Sequence, residues 1–230
     1  MKSKIVVITG AGSGLGASLA RKYSEAGDRV VLLGRSQEKL LKVAESLNNE
    51  NYVYSVDISV KQQVKDVFRL IYAEVGDIDI LVNNAGVGYF DLAENIAEQS
   101  IDEMIDINLK GTIFCTQEVL GSMKQKNQGY IINIISKSGK RPVVTESVYC
   151  ASKFGVSGFT ESLALELENT SVRAIGIYMG NMATELWKGS APEDMDKFID
   201  PDDMADLIIE NTRIRKHLAV EQITVKNLKE

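Results

Sequence analysis

Short apolar runs rich in valine and isoleucine alternate along the chain with longer amphipathic stretches, and glycine or aspartate punctuates the joins. Such runs are too short for helices and too uniformly apolar for strands wetted on one face, so they predict parallel strands buried on both sides by helices. The expected strands are 4–9, 29–33, 51–56, 78–82, 130–135, 172–178 and 222–225, with helices between them. Ser59 with Gln62 and Ser100 with Glu103 have capping-box spacing, and Asp200-Pro201 reads as an N-cap followed by proline in the first turn. The fold class that follows is α/β: a single-domain, Rossmann-like three-layer α/β/α sandwich with a mostly parallel sheet of about seven strands. No repeat, linker or long charge block divides residues 1–230. The segment 181–199 departs from the alternation and carries Trp187, Gly189 and Pro192. It reads either as a short cover over a substrate pocket or as an ordinary surface connection.

Composition narrows the classes. With 230 residues, 44% hydrophobic and 25% charged, the chain is a globule with a sizeable core. The net charge of −6 gives no electrostatic basis for a nucleic-acid partner. Cys115 and Cys150 make no disulfide framework, and the apolar run at residues 5–8 is too short for a signal or membrane segment, so the reading is a cytoplasmic protein with no membrane partner. His217, the sole histidine, sits in a basic cluster that reads as solvated, and no metal-ligand spacing occurs. Cys150 reads as a small buried apolar group. Glu193-Asp194 and Asp202-Asp203 read as helix starts or solvated surface.

The first strand runs into Gly10-Ala11-Gly12-Ser13-Gly14-Leu15-Gly16 and then a helical pattern. Glycines let the backbone turn sharply and approach a pyrophosphate, which meets unpaired N–H groups and the positive end of the helix dipole. The spacing is G-x-x-x-G-x-G, with Leu15 where the common dinucleotide fingerprint has its third glycine. Taken alone, the glycines are also compatible with a tight turn. After the second strand, where NAD-binding units present an acid to the ribose, stand Arg35 and Ser36. A guanidinium with a hydroxyl suits the 2′-phosphate of NADP(H), so NAD(H) is the less favoured cofactor; a solvated Arg35 is the alternative.

Tyr149 and Lys153 lie four residues apart and share a helix face. A nearby ammonium favours the phenolate and so lowers the phenol pKa toward working pH, which suits proton exchange. Ser136, thirteen positions before Tyr149, falls at a strand's carboxyl end, the edge where open α/β sheets bind ligands.

In this order and spacing the chain resembles the short-chain dehydrogenase/reductase family over nearly its whole length. The marks are Thr9-Gly10, Gly14 and Gly16; Asp57; Asn83-Asn84-Ala85-Gly86; Asn108; Ser136; and Tyr149 with Lys153. The resemblance implies that Asp57 and Ile58 flank the adenine, and that Asn83 to Gly86, with Asn84, Ala85 and Gly86 at the cofactor, hold the central strand and let the ribose approach. It makes Asn108, Ser136, Tyr149 and Lys153 the active tetrad. In it Ser136 orients the carbonyl, Tyr149 protonates it, Lys153 holds the ribose and lowers the tyrosine pKa, and Asn108 holds a water. Without the resemblance, Asn108 reads as an exposed polar position in a helix. Gly180, Met182 and Thr184 join the cofactor set, toward the carboxamide and phosphates. The family's usual Pro-Gly after the sixth strand is Met179-Gly180 here, and the first serine of its usual pair is Ile135.

The expected activity is NADP(H)-dependent hydride transfer between nicotinamide and a carbonyl or secondary-alcohol substrate. An NADP(H)-binding sensor without turnover and a 3-oxoacyl thioester reductase are the alternatives; the second needs a basic pocket mouth that the sequence does not clearly provide. Pocket shape is assigned to 181–199 and to residues near Ile135, Val143 and Tyr178. Ala151, Gly155, Gly158 and Ser162 line the helix face opposite Tyr149, an expected homodimer or homotetramer contact.

Overall fold

The computed structural model describes residues 3–184, 197–213 and 218–228. Its strands are β1 (Ile5–Thr9), β2 (Arg29–Gly34), β3 (Asn51–Ser55), β4 (Ile80–Asn83), β5 (Gly129–Ile134), β6 (Val172–Met179) and β7 (Gln222–Val225). The helices are α1 (Gly14–Glu25), α2 (Gln37–Ala44), α3 (Lys61–Glu74), α4 (Glu98–Glu103), α5 (Thr112–Lys126), α6 (Ser147–Glu166) and α7 (Pro201–Asn211). The seven strands form one sheet in the order β3-β2-β1-β4-β5-β6-β7, and every pairing is parallel.

Alternation along each strand builds two cores. Val6 and Ile8 of β1 face one side, where they join Leu19 and Tyr23 of α1, Leu40 of α2 and Ile208 of α7. Ile5 and Val7 face the other, with Phe68 and Ile71 of α3, Val119 and Met123 of α5, and Leu163 of α6. A strand hydrophobic on both faces therefore needs a helical layer on each, which is why the apolar runs read as continuous rather than alternating. Because all strands run the same way, every β-to-α connection begins at one edge of the sheet. The order reverses between β1 and β4, and the cleft described below opens at that reversal.

Helix starts divide the capping expectations. Asp200 caps α7 by accepting from the Asp202 N–H at 2.8 Å, with Pro201 in the first turn. Ser59 does not cap α3: its N–H and hydroxyl both donate to the Asp57 carboxylate, and the helix begins at Lys61 after Val60. Ser100 lies inside α4, which starts two residues earlier at Glu98. On α7, Asp202 and Asp206 pair with Arg21 and Lys22 of α1 at 3.1 and 2.9 Å.

Polar side chains beneath the cleft tie the helices to the central strands. Asn83 of β4 donates to Thr116 of α5 at 3.0 Å and to Asn133 of β5 at 2.8 Å, and Asn133 donates to Thr160 of α6 at 2.8 Å. These groups are buried, so each bond lost strands a donor or acceptor away from water. Replacing Asn133→Leu is expected to lower the unfolding free energy by about 1–3 kcal/mol in a urea titration.

Candidate functional site

At the carboxyl edge of the sheet the loops enclose a cleft of about 510 Å³. Its floor is the turn between β1 and α1. Gly10 has φ +65°, and a Cβ there would lie 2.8 Å from the Ala85 Cα. Gly16 is excluded from larger residues by its neighbours, since a Cβ would meet the Asn84 side-chain nitrogen at 2.6 Å. Thr9 locks this approach: its hydroxyl accepts from the N–H groups of Asn84 and Ala85, both at 3.0 Å. Ser13, the N-cap of α1, makes no side-chain cap bond, and the first turn carries no acid. The positive end of that helix therefore faces the cleft without a competing carboxylate, a fit for a pyrophosphate.

Toward β2 and β3 the cleft is lined by Arg35, Asp57 and Ile58. Arg35 is exposed and forms no ion pair among the described residues. Ser36 does not line the cleft; its hydroxyl caps α2 by accepting from the Lys39 N–H at 3.4 Å. The Asp57 carboxylate is held by Ser59 through its N–H at 2.9 Å and its hydroxyl at 2.7 Å.

Toward β5 and β6 the lining includes Ser136, Tyr149, Lys153, Gly180, Met182 and Thr184, with Asn84, Ala85 and Gly86 between the two ends. Ser136 follows β5 with φ 125° and ψ 159°, a region nearly confined to glycine. Strain of this kind costs about 1–3 kcal/mol and persists only where its surroundings fix it. The fixing bond is that of the Ser138 N–H, which donates to the Ser136 hydroxyl at 3.2 Å.

Tyr149 and Lys153 project from the first turns of α6, both buried, with the Lys153 nitrogen 5.7 Å from the centre of the Tyr149 ring. The ammonium donates to the Ile134 carbonyl at 3.1 Å. Burial pushes the Lys153 amine down to about 8. It also pushes the Tyr149 phenol well above its ordinary value, against the hydrogen bond from Ser136, which lowers it; the nearby Glu146 carboxylate raises it further. A lysine one helical turn away is by itself expected to lower the phenol. Desolvation outweighs it here because both groups are buried and the ammonium is engaged with a backbone carbonyl.

Asn108 is buried rather than exposed, and does not line the cleft itself. It sits in a π-helical segment, Met104–Gly111, between α4 and α5. The wider turn leaves its amide free for partners outside the helix. Its Oδ1 accepts from the Val87 N–H at 2.8 Å, and its Nδ2 donates to the Val87 carbonyl at 2.9 Å and to Ser152 at 3.0 Å. A Cβ on Gly86 would lie 3.2 Å from Asn108 Oδ1 and 3.5 Å from Lys153 Nζ, so these two side chains converge behind that glycine.

Sequence reasoning missed Tyr89, Phe90, Ser138 and Glu146, all of which line the cleft. Glu146 lies three residues before Tyr149, a spacing that places them on one helical face, and that signal was available. Phe90 meets Tyr149 edge to face at 5.5 Å, a contact between residues 59 positions apart that no local pattern reveals. Ile135 lines the cleft as expected, whereas Val143 does not, and Tyr178 is buried beneath it with Ile135 and Val156. Most of the expected cover, residues 185–196 with Trp187, Gly189, Pro192 and Glu193-Asp194, and His217 of the basic cluster lie outside the described residues. Among the described residues no group of three or more metal-ligating side chains occurs, and no helix is long and apolar enough to cross a membrane.

Comparison with known proteins gives this geometry its relatives. A family profile described as short chain dehydrogenase matches residues 4–194. An uncharacterized oxidoreductase of Staphylococcus epidermidis is 33% identical over 226 residues, 98% of both chains. Among solved structures, an alcohol dehydrogenase from the archaeon Thermococcus sibiricus, complexed with 5-hydroxy-NADP, superposes with a TM-score of 0.93 at 26% identity, covering 100% of this chain and 98% of that one. A metagenomic short-chain oxidoreductase in complex with NADP gives 0.85 at 31% identity, covering 99% and 98%. With the glycine turn, the tyrosine and lysine of α6 and the all-parallel sheet in place, the chain belongs to the short-chain dehydrogenase/reductase family and is an oxidoreductase.

Proposed function

We propose that this oxidoreductase uses NADP(H) to transfer hydride between the nicotinamide and a carbonyl or secondary-alcohol substrate. One observation carries the reading: a buried phenol, lining the same cleft as Ser136 and one helical turn from a buried lysine, stands at the end of a cleft whose floor is an uncapped helix start. Gly10, Ser13, Gly14, Leu15 and Gly16 hold or shape the pyrophosphate seat, while Asp57 and Ile58 border the adenine side. Asn84, Ala85, Gly86, Gly180, Met182 and Thr184 border the ribose and nicotinamide. When bound there, nicotinamide supplies or accepts the hydride.

The chain's own residues handle the oxygen. Ser136 donates to the substrate oxygen and orients it, and Tyr149 gives or takes the proton at that oxygen. Lys153, through its ammonium, stabilises the phenolate that results. Asn108 fixes the backbone of Val87 and the wall behind Lys153. A sensor would need the floor of this cleft but not the phenol and serine, so their presence favours an enzyme.

Arg35 supports NADP(H), as its guanidinium is exposed in the cleft and its charge has no carboxylate in salt-bridge contact among the described residues. The NADP in the complexes of two related structures supports the same choice. The cytoplasmic assignment rests on the buried thiols of Cys115 and Cys150, neither in a disulfide. We further propose a homodimer or homotetramer through the outer face of α6. Leu109 fills the space beside Gly155, but no atom approaches the open side of Gly158 within 4 Å, and Leu165 and Phe154 are exposed nearby.

Tyr149→Phe is expected to abolish NADPH oxidation with ketones, by about a hundredfold or more, while fluorescence titration still detects NADPH binding. In Arg35→Ala, the KM for NADPH is expected to rise about tenfold or more with little change for NADH, as steady-state kinetics will read. Because the phenol is raised, it holds its proton at neutral pH. Ketone reduction should thus plateau near neutrality and fall on the alkaline side, and alcohol oxidation should climb as pH rises. Removing the cation in Lys153→Met should move that climb to higher pH, as pH-rate profiles of both directions will test.

A further inference from the structure

Beyond Arg35, Asp57 and Lys153, the cleft is lined among the described residues by one more charged residue, Glu146. It lies at the β5 end, away from Arg35 and Asp57, which follow β2 and β3. In the strand order, β2 and β5 are three spacings apart, roughly 14 Å. Glu146 immediately precedes α6 and is half-buried. One oxygen, Oε2, accepts from the buried Ser138 hydroxyl at 2.5 Å. The other accepts no hydrogen bond, and the carboxylate forms no ion pair, among the described residues. Lys153 makes no salt bridge with it; that ammonium donates to the Ile134 carbonyl instead.

Ser138 ties this carboxylate to the reacting centre, because its N–H also donates to the Ser136 hydroxyl. The Glu146 carboxylate and the Ser136 hydroxyl are thus both bonded to Ser138, and both residues line the cleft with Tyr149. Phe90, edge to face with Tyr149, adds an apolar ring beside that phenol. A negative charge with one free oxygen beside the reacting centre attracts a cation or strong hydrogen-bond donor and repels an acid.

We propose that Glu146 is a specificity-determining residue, and that the substrates are small vicinal amino alcohols and their amino ketones, whose ammonium pairs with this carboxylate. The inference rests on the oxidoreductase reading above and names its substrate class. In the oxidative direction the carbinol hydrogen leaves as hydride to the oxidised nicotinamide, NADP+, the Tyr149 phenolate present at alkaline pH takes the hydroxyl proton, and the C–O bond becomes the ketone. The ammonium keeps its protons throughout. Small acidic carbonyl compounds are disfavoured for the same reason.

The matched pair 1-amino-2-propanol and 2-butanol differs only by an ammonium in place of a methyl group. With saturating NADP+, the wild-type kcat/KM is expected to favour the amino alcohol about tenfold or more. Glu146→Gln should bring that ratio close to one, and Glu146→Asp should retain a preference, which separates charge recognition from a purely structural role at the start of α6. A ratio near one in the wild type, or a ratio unchanged in Glu146→Gln, overturns the proposal. Calorimetric titration of 1-amino-2-propanol into the NADPH-bound protein, where the alcohol cannot be oxidised, gives a readout without turnover. Binding about fivefold weaker in Glu146→Gln supports the subsite, and equal affinity overturns it. Glu146-dependent binding with no oxidation of either alcohol would uphold the subsite and sink the oxidoreductase reading of this substrate class instead.

Discussion

The parallel register of the sheet is the constraint on which the rest depends. Seven strands pointing one way bring every strand's carboxyl end to a single edge, and helices on both faces remove water from the strands between. Residues as distant as Gly10, Asp57, Gly86, Ser136 and Thr184 reach one cleft for that reason alone. An antiparallel connection anywhere between β1 and β6 would send one of those loops to the opposite edge. The buried amide and hydroxyl chain from Asn83 through Asn133 to Thr160 then sets how α6 lies on the sheet, and so where its first turns present Tyr149 and Lys153.

Within the cleft, burial governs the electrostatics. The phenol is pushed up and the amine down, to about 8, by the same loss of water, so at neutral pH the phenol keeps its proton and the lysine remains mostly an ammonium. A proton donor that holds its proton until the substrate oxygen needs it is suited to carbonyl reduction. The unusual backbone of Ser136 belongs to the same design, since it sets this residue in the wall of the cleft beside Tyr149, at a cost met by the bond from the Ser138 N–H.

Much of this was legible from the chain. The strands could be read because burial on both faces leaves no choice but continuous valine and isoleucine, as in Ile5–Thr9, and the structure moves their ends by a residue or two. The glycine turn, the loop after β4 and the tyrosine-lysine spacing are local patterns, and local patterns survive in sequence. What escaped was long-range. The π-helical widening at Asn108 depends on Val87 and Ser152. Phe90 reaches Tyr149 only once β4 and α6 are assembled. Ser59 was drawn from its expected capping role by the Asp57 carboxylate, a competition between two acceptors that spacing cannot rank. The direction of the phenol shift was misread because a motif reports the neighbouring cation but not the depth of burial.

The central claim is that hydride and proton reach one carbonyl from different donors within this cleft. The most direct measurement is isotope tracing with NADPH carrying deuterium at both C4 positions, incubated with the protein and a small ketone. The account predicts one deuterium on the carbinol carbon of the product alcohol and none on its oxygen after work-up in ordinary water. An alcohol product without deuterium at that carbon would contradict it.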